Sequence, residues 1–215
     1  MYAFIISFGD FFNNAGGQAV SAAVALIVVV AMAGIYYKKT SSVKIMTYTA
    51  ACLALATVLS VFKGPSLPAG GSITLCSMLF VTLIGYFFGP AAGIIGGITY
   101  GFIQLAIGPY VVHPVQLFLD YPLAFGALGI SGFFNKRKYG LYIGYIAGAL
   151  LRLIIHIISG VIFFAADAGG KNVIIYSIVY NMTYIIPEMI LTCALISIPA
   201  LRRAINQIKQ QALIK

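Results

Sequence analysis

Long apolar runs, separated only by short stretches that carry Lys, Gly or Pro, account for most of this chain of 215 residues. Hydrophobic residues make up 61% of the sequence and charged residues only 8%, which is far from the balance of a water-soluble domain. Because about 18 or more apolar residues in a row are typical of helices that cross a bilayer, the sequence predicts an all-α integral membrane protein.

Charge, Gly and Pro mark the breaks between these runs, since helices tend to end at such residues. The breaks give seven predicted spans: residues 17–37, 45–62, 73–88, 91–108, 115–134, 141–164 and 173–200. The residues before the first span lack the basic region that precedes the apolar part of a secretory signal. We therefore interpret the first span as an uncleaved anchor.

Basic residues indicate the orientation, because cytoplasmic loops are enriched in Lys and Arg. An external amino terminus and a cytoplasmic carboxyl terminus leave only Lys63 and Lys171 outside. The basic residues placed in the cytoplasm are Lys38, Lys39, Lys44, Lys136, Arg137, Lys138, Arg202, Arg203, Lys209 and Lys215. Membrane topology thus accounts for the formal charge of +9, and the sequence predicts no nucleic-acid partner.

Small residues recur every four positions in three spans, which lets helix backbones approach each other closely. The glycine stripes are Gly89, Gly93, Gly97 and Gly101 in one span and Gly140, Gly144 and Gly148 in another. We expect both to pack inside the bundle. Ala50 and Ala54 form a shorter stripe, which fits either internal packing or the docking of another subunit.

A few ionisable residues lie within the apolar spans, where each is costly unless it faces a cavity or a partner. They are Asp120, Arg152, His156 and Glu188. At 1.5 Å of rise per residue, Asp120 lies roughly 8 Å from the outer end of its span, and His156 and Asn181 lie roughly 12 Å from theirs. Three helices therefore bring an acid, an imidazole and an amide to a similar depth, which predicts a pocket open to the outside.

Aromatic residues adjoin these polar groups in the sequence, and they are Tyr121, Tyr176 and Tyr180. An acid among aromatic rings suits a flat organic cation, which gains both charge pairing and attraction to ring faces.

Other interpretations of the same residues stay open at this point. Arg152 fits a structural ion pair with Asp120 or Glu188, and full neutralisation of Asp120 would weaken the prediction of a cation site. Glu188 lies deeper, where an ion pair or a helix kink competes with a functional role. His156 alone also fits a buried core residue, and we expect His113 to be solvated or to cap the next helix.

Four stretches of sequence, in this order, resemble the ThiT family, the thiamine-specific substrate-binding (S) components of energy-coupling factor (ECF) transporters. They are residues 67–73 (LPAGGSI), 113–121 (HPVQLFLDY), 152–164 (RLIIHIISGVIFF) and 176–181 (YSIVYN). The resemblance implies a six-helix ECF S-component bundle over residues 43–200, in a bacterial cell membrane. Residues 1–42 are then an interfacial segment with one additional transmembrane helix. Residues 201–215 are then a basic cytoplasmic tail.

The resemblance also implies a thiamine site near the outer face of the bundle, beneath the loop around residues 65–72. The implied ligand-binding residues are Asp120, Tyr121, His156, Gly160, Phe164, Tyr176, Ser177 and Asn181. Asp120 occupies the position where the family has an acid that contacts the ligand. Phe164 occupies the position of the family's aromatic platform for the ligand. The chain departs from the family pattern in having no Trp, and in having Asp where some members have Glu.

The implied partners are an ECF transmembrane coupling subunit, which would dock at Ala50 and Ala54, and two ATPase subunits that drive it. Thiamine is the transported ligand, and no cofactor is expected. A solitary carrier coupled to protons or sodium, with Asp120 or Glu188 as the coupling site, is the main alternative. The sequence contains no phosphate-binding loop with which the chain could use ATP itself.

An enzyme is disfavoured, because the sequence offers neither a nucleophile beside a base nor a set of metal ligands. Cys52, Cys76 and Cys193 lie in apolar segments without a CxxC motif or a His at ligand spacing. We predict no catalytic residue and no metal site.

Overall fold

The structure is a computed structural model that describes residues 43–67, 71–108 and 110–213, with isolated helical positions at 17, 20, 23, 24, 27, 31 and 34. Most of the first predicted span and all of the segment before it lie outside the described residues. From residue 43 onward, helices account for most of the described chain.

The helices of residues 43–213 are α1 (Val43–Val61), α2 (Ser77–Phe88), α3 (Pro90–Ile107), α4 (Pro114–Phe134), α5 (Gly140–Phe163), α6 (Val173–Ser197) and α7 (Pro199–Leu213). By length and composition, α1, α3, α4, α5 and α6 can each cross a membrane, and α2 is a shorter apolar helix. The predicted all-α membrane class is therefore confirmed.

A small antiparallel hairpin joins α1 to α2. Its strands are β1 (Lys63–Ser66) and β2 (Ser72–Thr74), and Lys63 pairs with Thr74. The start of the predicted span 73–88 is therefore wrong, because α2 begins only at Ser77, after Cys76 with a left-handed φ of 58°. We call this end of the bundle the hairpin end and the opposite end, where residues 134–139 and α7 lie, the α7 end.

Both predicted glycine stripes pack inside the bundle, and both face α4. A Cβ on Gly93 would lie 2.6 Å from the carbonyl oxygen of Gly129, and one on Gly101 would lie 2.5 Å from that of Tyr121. From the other side, a Cβ on Gly148 of α5 would lie 2.9 Å from Cα of Leu128. Helix α4 is thus enclosed between α3 and α5 at backbone-to-backbone distance.

Gly89 is the member of the first stripe that does not pack in this way. It has a φ of 92°, a conformation that side chains disfavour, and it forms the turn between α2 and α3.

Helix α4 departs from regular α geometry where it carries the predicted acid. Residues Leu119–Leu123 form a widened π-type turn that contains Pro122, and Leu128–Phe134 tightens to 3₁₀ geometry. Because proline has no N–H and its ring crowds the preceding turn, a wider turn is a way to keep Pro122 within the helix. Such turns are frequent at functional sites, and Asp120 lies in this one.

The carboxyl-terminal segment is a helix over most of its length. Helix α6 ends at Ser197 and not at residue 200, because Ile198 precedes Pro199 and adopts the extended backbone that proline favours in the residue before it. Helix α7 then buries Ile205 and Ala212 against the bundle.

Lys209 joins α7 to the end of α4. Its Nζ donates a hydrogen bond of 2.5 Å to the carbonyl oxygen of Asn135 and lies 3.6 Å from the centre of the Tyr86 ring. Burial lowers the pKa of Lys209 from its usual value.

Replacement of Gly97 by Ala tests the enclosure of α4. Its Cβ would overlap the carbonyl oxygen of Phe125 and lie 2.9 Å from Cα of Gly126, both in backbone that cannot turn aside. We expect a loss of about 1–3 kcal/mol of stability, measured as a lower midpoint of thermal unfolding in detergent. Gly108→Ala is the matched control, because nothing lies within 4 Å of its Cβ position. Equal midpoints for the two variants would contradict the packing described.

Candidate functional site

A cavity of about 350 Å³ lies at the hairpin end of the bundle. Its walls come from the hairpin and from residues of α1, α2, α3, α4, α5 and α6. The structure brings together around it all of the residues that the resemblance implies for the ligand: Asp120, Tyr121, His156, Gly160, Phe164, Tyr176, Ser177 and Asn181. Ala50 and Ala54 lie elsewhere, on an exposed face of α1.

The carboxylate of Asp120 is held from two sides at the cavity wall. Its Oδ1 lies 3.0 Å from Nδ1 of His156, and its Oδ2 accepts a hydrogen bond of 2.6 Å from Nε2 of Gln116. The side chains of Asp120 and His156 are 14% and 11% exposed. The acid is thus oriented by partners on α4 and α5 and still borders the cavity.

Arg152 orients the histidine. Its Nε donates to Nε2 of His156 at 3.3 Å, which assigns the ring proton to Nδ1, where it faces Asp120. The guanidinium carbon lies 4.0 Å from the centre of the Phe125 ring, as in a cation–π contact.

The predicted ion pairs of Arg152 are not formed. In the described part of the chain, Asp120 pairs with His156 and Arg152 pairs with neither Asp120 nor Glu188. The reason is geometric: Arg152 and His156 are one helical turn apart on α5, so the guanidinium reaches the imidazole before it reaches a carboxylate on another helix.

Glu188 borders the cavity at greater depth, and it forms no ion pair among the described residues. Its carboxylate accepts hydrogen bonds from the backbone N–H and hydroxyl of Thr74, the hydroxyl of Ser77 and the backbone N–H of Met78. It therefore binds the end of β2 and the first turn of α2.

The side-chain amide of Asn181 on α6, which the resemblance implies for the ligand site, forms hydrogen bonds within the protein. Nδ2 of Asn181 donates to the carbonyl oxygens of Ser177 at 2.9 Å and His156 at 3.3 Å, and Oδ1 accepts from the hydroxyl of Tyr184 at 2.6 Å. A Cβ on Gly160 would overlap Oγ of Ser177, so glycine is needed for α5 and α6 to approach here.

Aromatic rings also line the cavity. Phe164 stacks with Tyr110 at 6.1 Å between ring centres and 23° between planes, and the hydroxyl of Tyr121 accepts from the backbone N–H of Tyr110 at 2.7 Å. Burial and the nearby Asp167 raise the pKa of Tyr110, so its phenol stays neutral near pH 7. A carboxylate beside exposed ring faces is an arrangement that suits a flat organic cation.

His113 caps α4, one of the two roles that the sequence leaves open. Its Nδ1 accepts a hydrogen bond of 3.1 Å from the backbone N–H of Val115, and its ring stacks on Phe163.

Gln116 is a site residue that the sequence reasoning missed. It is 1% exposed and bonds not only Asp120 but also the carbonyl oxygen of Tyr110 and the backbone N–H of Val112. Its position four residues before Asp120 could have identified it, because that spacing places both side chains on one helix face.

Comparisons with known proteins agree with this architecture. The family described as Thiamine transporter protein (Thia_YuaJ) matches residues 46–208. A relative from Bacillus subtilis named Thiamine transporter ThiT is 40% identical over 169 residues, which cover 72% of this chain and 86% of the relative. A second ThiT, from Lacticaseibacillus paracasei, is 31% identical and covers 51% of this chain and 62% of its own length.

The fold is also similar to a solved structure of ThiT from Listeria monocytogenes. The TM-score is 0.62 at 24% sequence identity, over 73% of this chain and 94% of that one. At that level of identity the match supports the fold alone.

Replacement of Gln116 by Met tests how the rim of the cavity is held. Met has a similar length but cannot bond Asp120, Tyr110 or Val112, and each lost hydrogen bond is worth about 1 kcal/mol. We expect the amide of Val112 to exchange its hydrogen about tenfold faster in hydrogen-exchange mass spectrometry. Gln207→Met, on the exposed face of α7, is the control. Unchanged exchange at residues 110–113 would contradict this role.

Proposed function

The chain belongs to the thiamine transporter protein family, and we propose that it captures thiamine in the cavity at the hairpin end of the bundle. The observation that carries this proposal is the carboxylate of Asp120, fixed at the wall of a cavity that is otherwise rich in aromatic rings. Thiamine joins a positively charged thiazolium ring to a pyrimidine ring, so its charge and shape match such a cavity.

The proposed roles follow from the contacts. Asp120 offsets the thiazolium charge, and two unit charges 4 Å apart attract by about 4 kcal/mol at an effective dielectric constant of 20. His156, held in one tautomer by Arg152, packs against the thiazolium ring. Phe164 stacks on the ligand with a smaller ring than the Trp of some relatives, and Tyr176 and Asn181 border the pyrimidine.

The proposed orientation places the hairpin end outside the cell and the α7 end in the cytoplasm. Lys136, Arg137 and Lys138 are exposed at the α7 end, as are Arg202 and Arg203 on α7 itself. This distribution is the one that the enrichment of basic residues in cytoplasmic loops predicts. Thiamine would then enter the cavity from outside.

We propose that an ECF coupling subunit with two ATPase subunits supplies the energy for transport. Ala50 and Ala54 are exposed one helical turn apart on α1, which buries few of its residues. Small residues on an exposed apolar helix allow a second helix to pack closely against it. This face of α1 is therefore the proposed docking surface.

Calorimetric titration with thiamine tests the capture site. We expect Asp120→Ala to weaken binding by more than tenfold, or about 1.4 kcal/mol, because the cation loses its counter-charge. Gln207→Ala is the control, since Gln207 is exposed on α7 and does not line the cavity. Parallel titrations with thiamine monophosphate and riboflavin define specificity. Identical thiamine titrations for Asp120→Ala and the wild type would remove the site assignment.

Uptake measurements test the docking surface. The double variant Ala50→Leu, Ala54→Leu should bind thiamine like the wild type, because both positions lie outside the cavity. It should lose most thiamine uptake in cells that also express the ECF coupling subunit and ATPases, whereas Ala194→Leu on the exposed surface of α6 should not. Proton- or sodium-driven uptake by proteoliposomes containing this chain alone would instead establish a solitary carrier.

A further inference from the structure

The α7 end of the bundle carries a basic surface that no described acidic residue neutralises. Five exposed residues form it, and we call them the basic surface: Lys136, Arg137, Lys138, Arg202 and Arg203. The sequence contains only four acidic residues. Of the three that the structure describes, Asp120 and Asp167 lie toward the hairpin end, and Glu188 bonds to Thr74 and Met78 there. The counter-charge for the basic surface must therefore come from another source.

Two segments of the chain contribute the basic surface, and the structure holds them together. Residues 136–138 lie between α4 and α5, and residues 202–203 lie near the start of α7. The hydrogen bond from Lys209 to the carbonyl oxygen of Asn135 joins the second half of α7 to the first of these segments. Burial of Ile205 fixes α7 against the bundle. The positive charges therefore keep a defined spacing at one packed end of the protein.

Exposed aromatic rings flank part of the basic surface. Phe133 and Tyr139 lie on either side of the segment 134–138 and are 67% and 55% exposed. The ammonium group of Lys138 lies 5.5 Å from the centre of the Tyr139 ring. Aromatic rings and basic side chains at the ends of membrane helices are typical of the membrane–water interface. A partner for this surface must therefore offer apolar contact as well as negative charge.

We propose that the basic surface binds the head groups of anionic phospholipids, whose acyl chains pack against the flanking rings. The phosphate of a phospholipid accepts charge-assisted hydrogen bonds from Lys and Arg. A purely acidic protein surface would match these charges but not the exposed rings of Phe133 and Tyr139. Residues 136–138 connect α4 to α5, and both helices can cross a membrane, so this segment lies at the depth of the head groups. This inference goes beyond the proposed function, because it involves no thiamine.

The test is a competition between two lipids for purified, delipidated protein in detergent. The protein receives an equimolar mixture of phosphatidylglycerol, which is anionic, and phosphatidylcholine, which has no net charge. Both lipids carry the same acyl chains, so only the head groups differ. Lipid that stays bound after gel filtration is extracted, and the two lipids are quantified by mass spectrometry.

Two variants remove the charges of the two segments separately: Lys136→Gln with Arg137→Gln and Lys138→Gln, and Arg202→Gln with Arg203→Gln. The matched control is Lys63→Gln with Lys171→Gln, which removes two exposed positive charges at the hairpin end. We expect the wild type and the control to retain phosphatidylglycerol over phosphatidylcholine by more than about tenfold. Each basic-surface variant should lose at least about fivefold of this preference, as for basic residues near an anionic membrane surface. Salt at about 1 M should also lower the wild-type preference, because it screens the attraction between charges.

Equal retention of the two lipids by the wild type overturns the proposal. An equal loss of preference in the hairpin-end control also overturns it, because net charge and not the basic surface would then select the lipid. If both basic-surface variants keep the lipid preference but lose thiamine uptake in cells, the surface binds an acidic partner protein and the proposal is wrong. The lipid competition uses no thiamine, so its failure is distinct from a failure of the proposed function.

Discussion

The enclosure of α4 at backbone distance is the constraint on which the site depends. Gly93, Gly97 and Gly101 of α3 and Gly148 of α5 leave no space for side chains between these helices and α4. A helix held on both sides in this way cannot turn its polar face toward lipid. The widened turn around Asp120 therefore borders the cavity, and the cost of a carboxylate within the membrane is met by protein partners and not by exposure.

Each of the four ionisable residues that the sequence places within the apolar spans has a partner in the described structure, as the cost of unpaired charge in a membrane requires. Asp120 has His156 and Gln116, Arg152 has His156 and the ring of Phe125, and Glu188 has the start of α2. The charges are thus oriented by groups of the protein itself. These side chains then lose less conformational freedom when a ligand binds, which favours affinity for a ligand whose charge and shape match the cavity.

The sequence predicted the residues of the cavity better than the bonds between them. Helix periodicity and the family motifs identified Asp120, His156 and Asn181, which lie on three helices that meet at one cavity. The partners of Arg152 and Glu188 could not be predicted, because they depend on the rotation of each helix and on backbone N–H groups of distant segments. No sequence pattern marks Met78 as a hydrogen-bond donor to Glu188.

The ends of the helices were also predicted less well than the helices themselves. An apolar stretch such as residues 73–88 does not show that its first residues pair as a strand, since hairpin and helix use the same residue types here. The basic tail was recognised by its charge, yet Leu201, Ile205 and Ala212 also form the apolar face that turns α7 into a packed helix.

We propose that Asp120 recognises the positive charge of the ligand. Its most direct test compares wild-type and Asp120→Asn protein in calorimetric titrations with thiamine and with an isosteric analogue whose thiazolium is replaced by a neutral ring. A charge contact predicts that the substitution weakens thiamine by more than about tenfold and the neutral analogue by less than about threefold. Equal losses for the two ligands would contradict the account, because Asp120 would then act through shape or hydrogen bonding alone.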